Sequence, residues 1–223
     1  KPSDAPKDEH IHDWSTALFR PEGITAVVCF NAIVLALSLL FPEYCGWAVP
    51  ESMKTLTLAV HPLSLLVHFL IFDSSMWAIH WCQHHFRWLY TNTHAVHHTI
   101  QSPTIICALT GYLPDTALLI LVPLHFTVCV APWGNFATVF VFAVLSLFHL
   151  HCIHSEFEHS WDVAFRRLGL VNSWDHHVHH VHPKKNLAHF FVFLDRMMGT
   201  YVDPLGLERV RTSEHTAKAA KSD

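Results

Sequence analysis

The chain has 223 residues, of which 51% are hydrophobic and only 14% are charged, and its formal net charge is −4. This composition is too apolar for one water-exposed domain, and it excludes a disordered tail, a coiled coil and a nucleic-acid-binding protein. The sequence contains 22 histidines, several times the ordinary usage. We therefore expect the histidines to carry the function.

Four apolar runs follow a polar N-terminal segment that covers residues 1–20. They cover residues 24–41, 56–72, 105–122 and 133–150, and none contains Lys or Arg. Each has about the length that crosses a hydrocarbon core of ~30 Å, so each is predicted to be a transmembrane helix. Four buried helices of a soluble bundle are the alternative, but they would leave no amphipathic helices to cover them.

The lysines and arginines indicate how these helices are oriented. With a cytoplasmic N-terminus, thirteen of the 14 Lys and Arg residues are cytoplasmic, and only Lys54 lies on the other side. The positive-inside rule therefore favours four crossings in two hairpins, with both termini cytoplasmic. Pro114, Asp115 and Pro123 would also suit a shallow re-entrant pair, which returns the chain to the same face.

Sixteen of the 22 histidines lie in two blocks, six from His80 to His98 and ten from His149 to His189. Each block follows a run that returns to the cytoplasmic side, so the blocks are expected to meet there. Their spacing repeats in three motifs, HWCQH, HAVHH and HHVHH, with histidines three or four residues apart. On a helix, each motif would project its imidazoles from one side.

Neutral imidazole is the commonest metal ligand, and eight or more imidazoles exceed what one ion needs. The three motifs therefore predict two metal ions. The predicted fold is all-α: four transmembrane or partly re-entrant helices in two hairpins, with a cytoplasmic helical cap that carries the dimetal site. His61, His68 and His125 stand alone in the apolar runs and their loops, and they are expected to be ordinary core histidines.

The three motifs resemble the histidine boxes of the fatty acid hydroxylase and sterol desaturase superfamily, whose members are integral membrane di-iron oxygenases. The family signature is H-x3-H, H-x2-HH and H-x2-HH. The resemblance runs from about Asp73 to Tyr201 and includes Pro103, HSEFE at 154–158 and LDRMMGTY at 194–201. The segment YLPD at 112–115 stands where many members carry His-Pro-x-Glu.

The candidate metal ligands are His80, His84, His94, His97, His98, His154, His176, His179 and His180. Glu158, Asp175 and Asp195 are candidates to accept the second ring N–H of a ligating histidine. The stretch between the first two motifs is one residue longer than is usual in the sterol oxidases. This leaves open whether His84 or His85 is the ligand.

The resemblance implies a membrane-bound di-iron oxygenase that hydroxylates or desaturates a C–H bond of a lipid such as a sterol or fatty acyl chain. The expected cofactor is two iron ions, with zinc as the other metal that purified protein could contain. Dioxygen, an external electron carrier and its reductase, and membrane lipids are the expected partners, and nucleic acid is not. The catalytic domain would cover residues 21–203 and a polar tail residues 204–223, in a multi-pass membrane protein of the endoplasmic reticulum if the source is eukaryotic.

Two other functions fit the sequence less well. A histidine-rich membrane zinc transporter would use His61, His68, Asp115 and His125 as its path. It is disfavoured because the histidines concentrate in repeated motifs and carboxylates are scarce in the apolar runs. A haem protein with paired axial histidines would leave most of the histidines unexplained.

Overall fold

The computed structural model describes residues 58–99, 103, 113–131, 133–155, 157 and 159–206. The first apolar run, the polar N-terminal segment, Glu158 and the segment 207–223 lie outside the described residues. Within the described ranges the chain is helical, and the β-type pairing found there is one isolated bridge between Leu170 and Phe191. The predicted all-α character is confirmed for this part of the chain.

The longest helix, α1, spans Pro62–His85. Proline at its first position suits a helix start, because the N–H that proline lacks would have no intrahelical partner there. The apolar run predicted an end at Phe72, but the helix continues through the first histidine motif and ends where Phe86 is extended. Polar residues from Asp73 onward lower the hydropathy without interrupting the backbone hydrogen bonds. Hydropathy alone therefore places the end of this helix too early.

The second histidine motif does not form a regular α-helix. A short helix α2, Arg87–Leu89, leads into a π-helical segment, Tyr90–His94, and a 3₁₀ turn, His97–Thr99. The wider π-helical turn is closed by a hydrogen bond from Ala95 N–H to the Tyr90 carbonyl at 2.8 Å. Such π-helical turns are frequent at functional sites, and this one places His94 at its end.

The described part of the third predicted run belongs to an irregular helical stretch, and most of the fourth run forms one long helix. Helix α3, Leu113–Thr116, continues through a π-helical segment, Ala117–Leu121, into α4, Val122–Val130. Helix α5, Phe136–Ile153, starts at Asn135, whose side chain accepts a hydrogen bond from the Thr138 N–H. Within the described ranges, α1 and α5 are long and apolar enough to cross a membrane, and the stretch 114–130 is shorter. The four-crossing topology and its orientation remain predictions.

Three shorter helices follow: α6, Asp162–Arg167; α7, Ser173–Val181; and α8, Phe193–Met198. Helix α7 carries the third histidine motif and begins with a capping box. The Asn172 side chain accepts from the backbone N–H of Asp175, and the Asp175 carboxylate accepts from the backbone N–H of Asn172. This reciprocal pair fixes where the helix starts and therefore which of its residues face inward.

Helix α1 packs against α4 and α5, and α7 packs against α5. Two apolar clusters fill these contacts, one around Trp77 and Ile153 and the other around Phe142. The outer faces of α1 and α5 instead expose large apolar side chains, such as Leu63 and Phe148. An exposed apolar surface of this kind fits contact with lipid.

Candidate metal centre

All nine candidate histidines are buried, and the structure brings them together in two groups. The first group consists of His80, His84, His94, His98 and His179. The second group consists of His97, His154, His176 and His180. Within each group, the ring nitrogens that could bind an ion all lie within 4.8 Å of one another.

The two groups are adjacent, and each draws on distant parts of the sequence. The rings of His94 and His97 stack with centroids 5.2 Å apart, and those of His98 and His180 lie 5.0 Å apart. Each of these pairs joins a ring of the first group to one of the second. Two ions bound here would therefore be neighbours within one centre.

Hydrogen bonds on the outer side of the rings determine which nitrogen carries the proton in the first group. The Nδ1–H of His80 donates to the Leu187 carbonyl at 2.7 Å, and the Nδ1–H of His179 donates to the Lys185 carbonyl at 2.8 Å. A carbonyl oxygen only accepts, so each neutral ring keeps a lone pair on its Nε2 atom. The inward-facing nitrogens of both rings are therefore bases.

His94 shows why a cation belongs in the first group. Its Nδ1–H donates to the Asp115 carboxylate at 2.8 Å, so its Nε2 also holds a lone pair. That Nε2 lies 3.0 Å from the Nε2 of His80, and two lone pairs this close repel each other. An ion bound by both removes the repulsion.

The spacing of the inward nitrogens agrees with metal ligation. Neighbouring Nε2 atoms of the first group lie 3.0–3.2 Å apart. Two nitrogens bound at right angles to an ion, each ~2.1 Å from it, would lie about 3.0 Å apart. The donor set contains imidazole and no thiolate, which suits iron or zinc. The residues present therefore fit a metal ion.

The second group repeats this arrangement. The Nδ1–H of His154 donates to the Leu150 carbonyl at 2.7 Å, which leaves the lone pair on its Nε2. This Nε2 lies 2.9 Å from the Nε2 of His176, which in turn lies 3.2 Å from the Nε2 of His180. The second group thus also presents converging imidazole nitrogens from several elements.

Burial keeps these rings neutral. It lowers the pKa of His97, His98, His176 and His179 well below the ordinary histidine value, and neighbouring imidazoles lower it further. Burial also lowers the pKa of His154, to about 4. Since a ligating imidazole must be unprotonated, the site holds its histidines in the form that binds a metal at neutral pH.

Among the described residues, Asp115 is the carboxylate that hydrogen-bonds to a candidate ligand, a role that was not predicted for it from the sequence. It lies on α3, is buried, and its Oδ1 accepts from His94 Nδ1 at 2.8 Å and from Gln83 Nε2 at 3.1 Å. A carboxylate behind a ligating histidine fixes the ring orientation and raises the basicity of the inward nitrogen. Its position inside an apolar run, where a carboxylate is costly, was the available signal.

Asp175, one of the three proposed carboxylates, bonds to groups other than histidines in the structure. One of its oxygens caps α7, and the other accepts from the Tyr201 hydroxyl at 3.2 Å. Burial raises its pKa to about 6. Glu158, another of the three, lies outside the described residues.

Asp195 holds the loop that follows α7. Its carboxylate accepts from the backbone N–H groups of Leu187 and Ala188 and from the Trp77 indole, at 2.8–3.0 Å. Since the Leu187 carbonyl in turn orients His80, Asp195 acts on the first group through the backbone. Asp73 holds the next part of the loop by accepting from the backbone N–H groups of residues 189–191.

The structure places His84 and His85 differently. His84 is buried, and its Nε2 lies 3.1 Å from that of His80. His85 stacks on Trp81 with ring centroids 3.9 Å apart and bonds to the Trp81 carbonyl. The geometry therefore favours His84 as the ligand.

His189 is a functional candidate that the spacing motifs missed. It is buried between the two groups, with its ring centroid 4.8 Å from His80 and 5.5 Å from His176. It also lines an apolar cavity of about 180 Å³ between α1, α4 and α5, whose walls include Phe72, Met76 and Leu147. The cavity therefore adjoins both groups of histidines.

Residues 65–200, more than half of the chain, match the fatty acid hydroxylase family, so the chain belongs to this family. The membership predicted from the histidine motifs is confirmed. The chain is 31% identical over 192 residues to the alternative squalene epoxidase of Phaeodactylum tricornutum, a match that covers 86% of this chain and 53% of the relative.

Two further relatives act on sterols by name. Cholesterol 25-hydroxylase of Mus musculus is 29% identical over 140 residues, covering 61% of this chain and 46% of the relative. Delta(7)-sterol-C5(6)-desaturase of Nicotiana tabacum is 24% identical over 150 residues, covering 62% and 49%. The chain thus spans about half the length of these curated relatives. No solved structure matches it.

Proposed function

We propose that the protein is a membrane-bound di-iron oxygenase that hydroxylates or desaturates a C–H bond of a lipid, using dioxygen and electrons from an external carrier and its reductase. The observation that carries this proposal is the convergence of buried imidazole lone pairs in two adjacent groups beside an apolar cavity. Membership of the fatty acid hydroxylase family supports lipid oxidation. The names of the relatives extend the range of candidate lipids to sterols and squalene.

The first group would hold one ion through five imidazoles, and the second group would hold the other through four. Iron bound there would supply the redox chemistry that dioxygen activation requires. The protein contributes the geometry. Asp115 and the carbonyls of Lys185 and Leu187 orient the rings, and the loop that bears these carbonyls is held by Asp73 and Asp195.

The apolar cavity would bind the lipid and exclude water from the reacting carbon. Apart from its few polar side chains, it is lined by aromatic and aliphatic residues of α1, α4 and α5, by Ile120 of the π-helical segment and by Phe190 of the loop before α8. Since α1 and α5 also expose apolar side chains outward, a lipid could enter from the bilayer without crossing water. We propose that both helices cross the membrane, in the four-crossing topology with the histidines on the cytoplasmic side.

Electrons would arrive from the polar side of the centre. Arg87, Lys184 and Lys185 line an open groove whose wall also includes His84 of the first group. A basic groove beside the metal centre suits an acidic carrier protein, because opposite charges steer association. Arg166 and Arg167 lie on α6 and would face lipid headgroups or the same carrier.

The test is a comparison of host lipid extracts by mass spectrometry after expression of the full-length protein. The proposal predicts one lipid that gains one oxygen or loses two hydrogens. His97→Ala and His179→Ala should abolish this change, whereas His61→Ala, at an isolated exposed histidine, should retain most of it. A metal-replete protein that leaves every host lipid unchanged, or full turnover by His97→Ala, would contradict the proposal.

A further inference from the structure

The five rings of the first group enclose their centre on nearly all sides. His84 contacts each of the other four rings, with ring centroids 4.7–4.9 Å apart. Those four rings form a closed circuit with neighbouring centroids 4.5–4.8 Å apart, in the order His80, His94, His98 and His179. This is a square pyramid with His84 at its apex. An ion in an octahedral environment would have one free coordination position here, on the side opposite His84.

The second group is more open than the first. Three pairs of neighbouring rings have centroids 4.2–4.8 Å apart. The fourth pair, His97 and His154, is wider, with centroids 5.4 Å apart. Four imidazoles leave two positions of an octahedral ion free. The wider edge between His97 and His154 is therefore the side from which a further ligand can reach this ion.

A small cavity of about 30 Å³ adjoins this wider edge, and its walls include His97, His154, Thr116 and Leu119. Among the described residues that line it, none belongs to the first group. About 10–15 Å³ is enough space for one water molecule. The small cavity therefore accommodates a water molecule or a diatomic molecule, and it is far too small for a sterol or an acyl chain.

The two groups also differ in what lies beside them. Met76, Leu150 and His189 line both the small cavity and the larger apolar cavity, so the two cavities are neighbours. The second group thus faces the apolar cavity across the small one. The apex of the first group, His84, instead lines the basic groove.

We propose that the two ions have different tasks, and that the ion of the second group alone binds a small exogenous ligand, which occupies the small cavity. In the proposed function, on which this inference rests, that ligand is dioxygen. The ion of the first group, held by five imidazoles, takes no ligand from either cavity. This arrangement places dioxygen between the second ion and a lipid in the apolar cavity, while the first ion lies on the side of the basic groove.

Titration with nitric oxide tests this proposal on the full-length protein, purified in detergent and loaded with Fe²⁺ without oxygen. Nitric oxide binds ferrous ions that have a free coordination position, and its binding is followed by visible absorption and electron paramagnetic resonance. We expect one nitric oxide per chain in the wild-type protein and one in His179→Ala, which leaves the second group intact. Two per chain, none, or loss of binding in a His179→Ala protein that retains iron would overturn the proposal.

Substitutions that fill the small cavity locate the bound molecule. Thr116→Leu and Leu119→Phe add bulk at two positions that line the small cavity and not the apolar one. Each should weaken nitric oxide binding about tenfold or more and leave the iron in place, because an overfilled cavity has no room for the ligand. Two controls should bind nitric oxide like the wild-type protein: Thr116→Val, which nearly keeps the volume, and Lys184→Trp, which adds bulk in the basic groove. Wild-type binding in both filled variants, or weakened binding in Lys184→Trp alone, would overturn the proposal.

Iron content and lipid oxidation are measured on the same preparations. Absence of iron or of an oxidised lipid in the wild-type protein would count against the proposed function. Two bound ions and an oxidised lipid, together with nitric oxide binding that survives filling of the small cavity, would leave the proposed function intact and refute only this inference. If both filled variants lose iron, the number of nitric oxide molecules bound by the wild-type protein and by His179→Ala decides.

Discussion

Replacement of Asp115 tests how the first group holds its ion. Its Oδ1 accepts from both His94 and Gln83, so Asp115→Asn keeps an acceptor oxygen in place and removes the charge. Hydrogen bonds to an ionised acceptor are about twice as strong as neutral ones, and partners behind a metal-ligating histidine contribute about 10–100-fold to metal affinity. We expect Asp115→Asn to lower the metal affinity of the first group by about tenfold, near the lower limit. This corresponds to about 1.4 kcal/mol of binding free energy.

Asp115→Leu removes the acceptor altogether and leaves His94 Nδ1–H without its buried partner. We therefore expect Asp115→Leu to lower the metal affinity of the first group by about 100-fold, near the upper limit, or by about 2.7 kcal/mol of binding free energy. In the described ranges, Asp115 hydrogen-bonds to His94 of the first group and to no histidine of the second, so the second group should keep its ion. At intermediate chelator concentrations the variant should hold one ion per chain where the wild-type protein holds two.

The assay is a titration with a chelator, followed by metal analysis of the desalted protein. Asp162→Asn is the matched control, because Asp162 is a buried carboxylate that accepts from the His159 backbone N–H rather than from a candidate ligand. Retention of both ions by Asp115→Leu with wild-type affinity would refute the reasoning. Equal loss in Asp162→Asn would show that the effect is a general weakening of the fold.

Three further predictions concern the choice between His84 and His85, the stability of the metal-free protein and the membrane topology. His84→Ala should lower the metal content, whereas His85→Ala should not, since the His85 ring stacks on Trp81; the reverse result would make His85 the ligand. The metal-free protein should lose stability as the pH falls below about 6.5, because its buried histidines have lowered pKa values and the unfolded chain takes up protons first. Five such groups give the free energy of unfolding a slope of up to about 7 kcal/mol per pH unit. A thermal unfolding temperature in detergent that does not change between pH 7 and pH 5 would contradict this. In sealed vesicles, Lys54→Cys and Lys184→Cys should react with an impermeant reagent from opposite sides, and labelling from one side would favour a re-entrant pair or a different number of crossings.

Eight of the nine histidines were predicted from their spacing, which reflects local backbone geometry, and the ninth, His154, was predicted from the resemblance of HSEFE to a family motif. Residues three or four apart lie close together on any helical turn, so the structure brings these histidines together even where His94, His97 and His98 lie on π-helical and 3₁₀ turns instead of a regular α-helix. Their role as metal ligands stays a prediction. The prediction that the three motifs meet required only that each motif lies at the same end of the apolar runs.

The hydrogen-bond partners of these histidines could not be predicted from residue spacing. Asp115 reaches His94 across 21 positions, and Leu187 reaches His80 across 107, so both contacts depend on how the helices pack. Asp195 was predicted to be a direct partner of a histidine, whereas its carboxylate accepts from the Trp77 indole, the Thr200 hydroxyl and the backbone of the loop that orients His80. His189 belongs to that loop and follows no spacing rule, so only the packed structure brings it between the two groups.

The metal content of the purified protein, determined by mass spectrometry after reconstitution with Fe²⁺ without oxygen, decides whether the two groups of histidines each hold an ion. We expect two ions per chain in the wild-type protein, one ion in His179→Ala, which disrupts the first group, and one in His154→Ala, which disrupts the second. A wild-type protein that binds one ion or none, or single variants that still bind two, would contradict it.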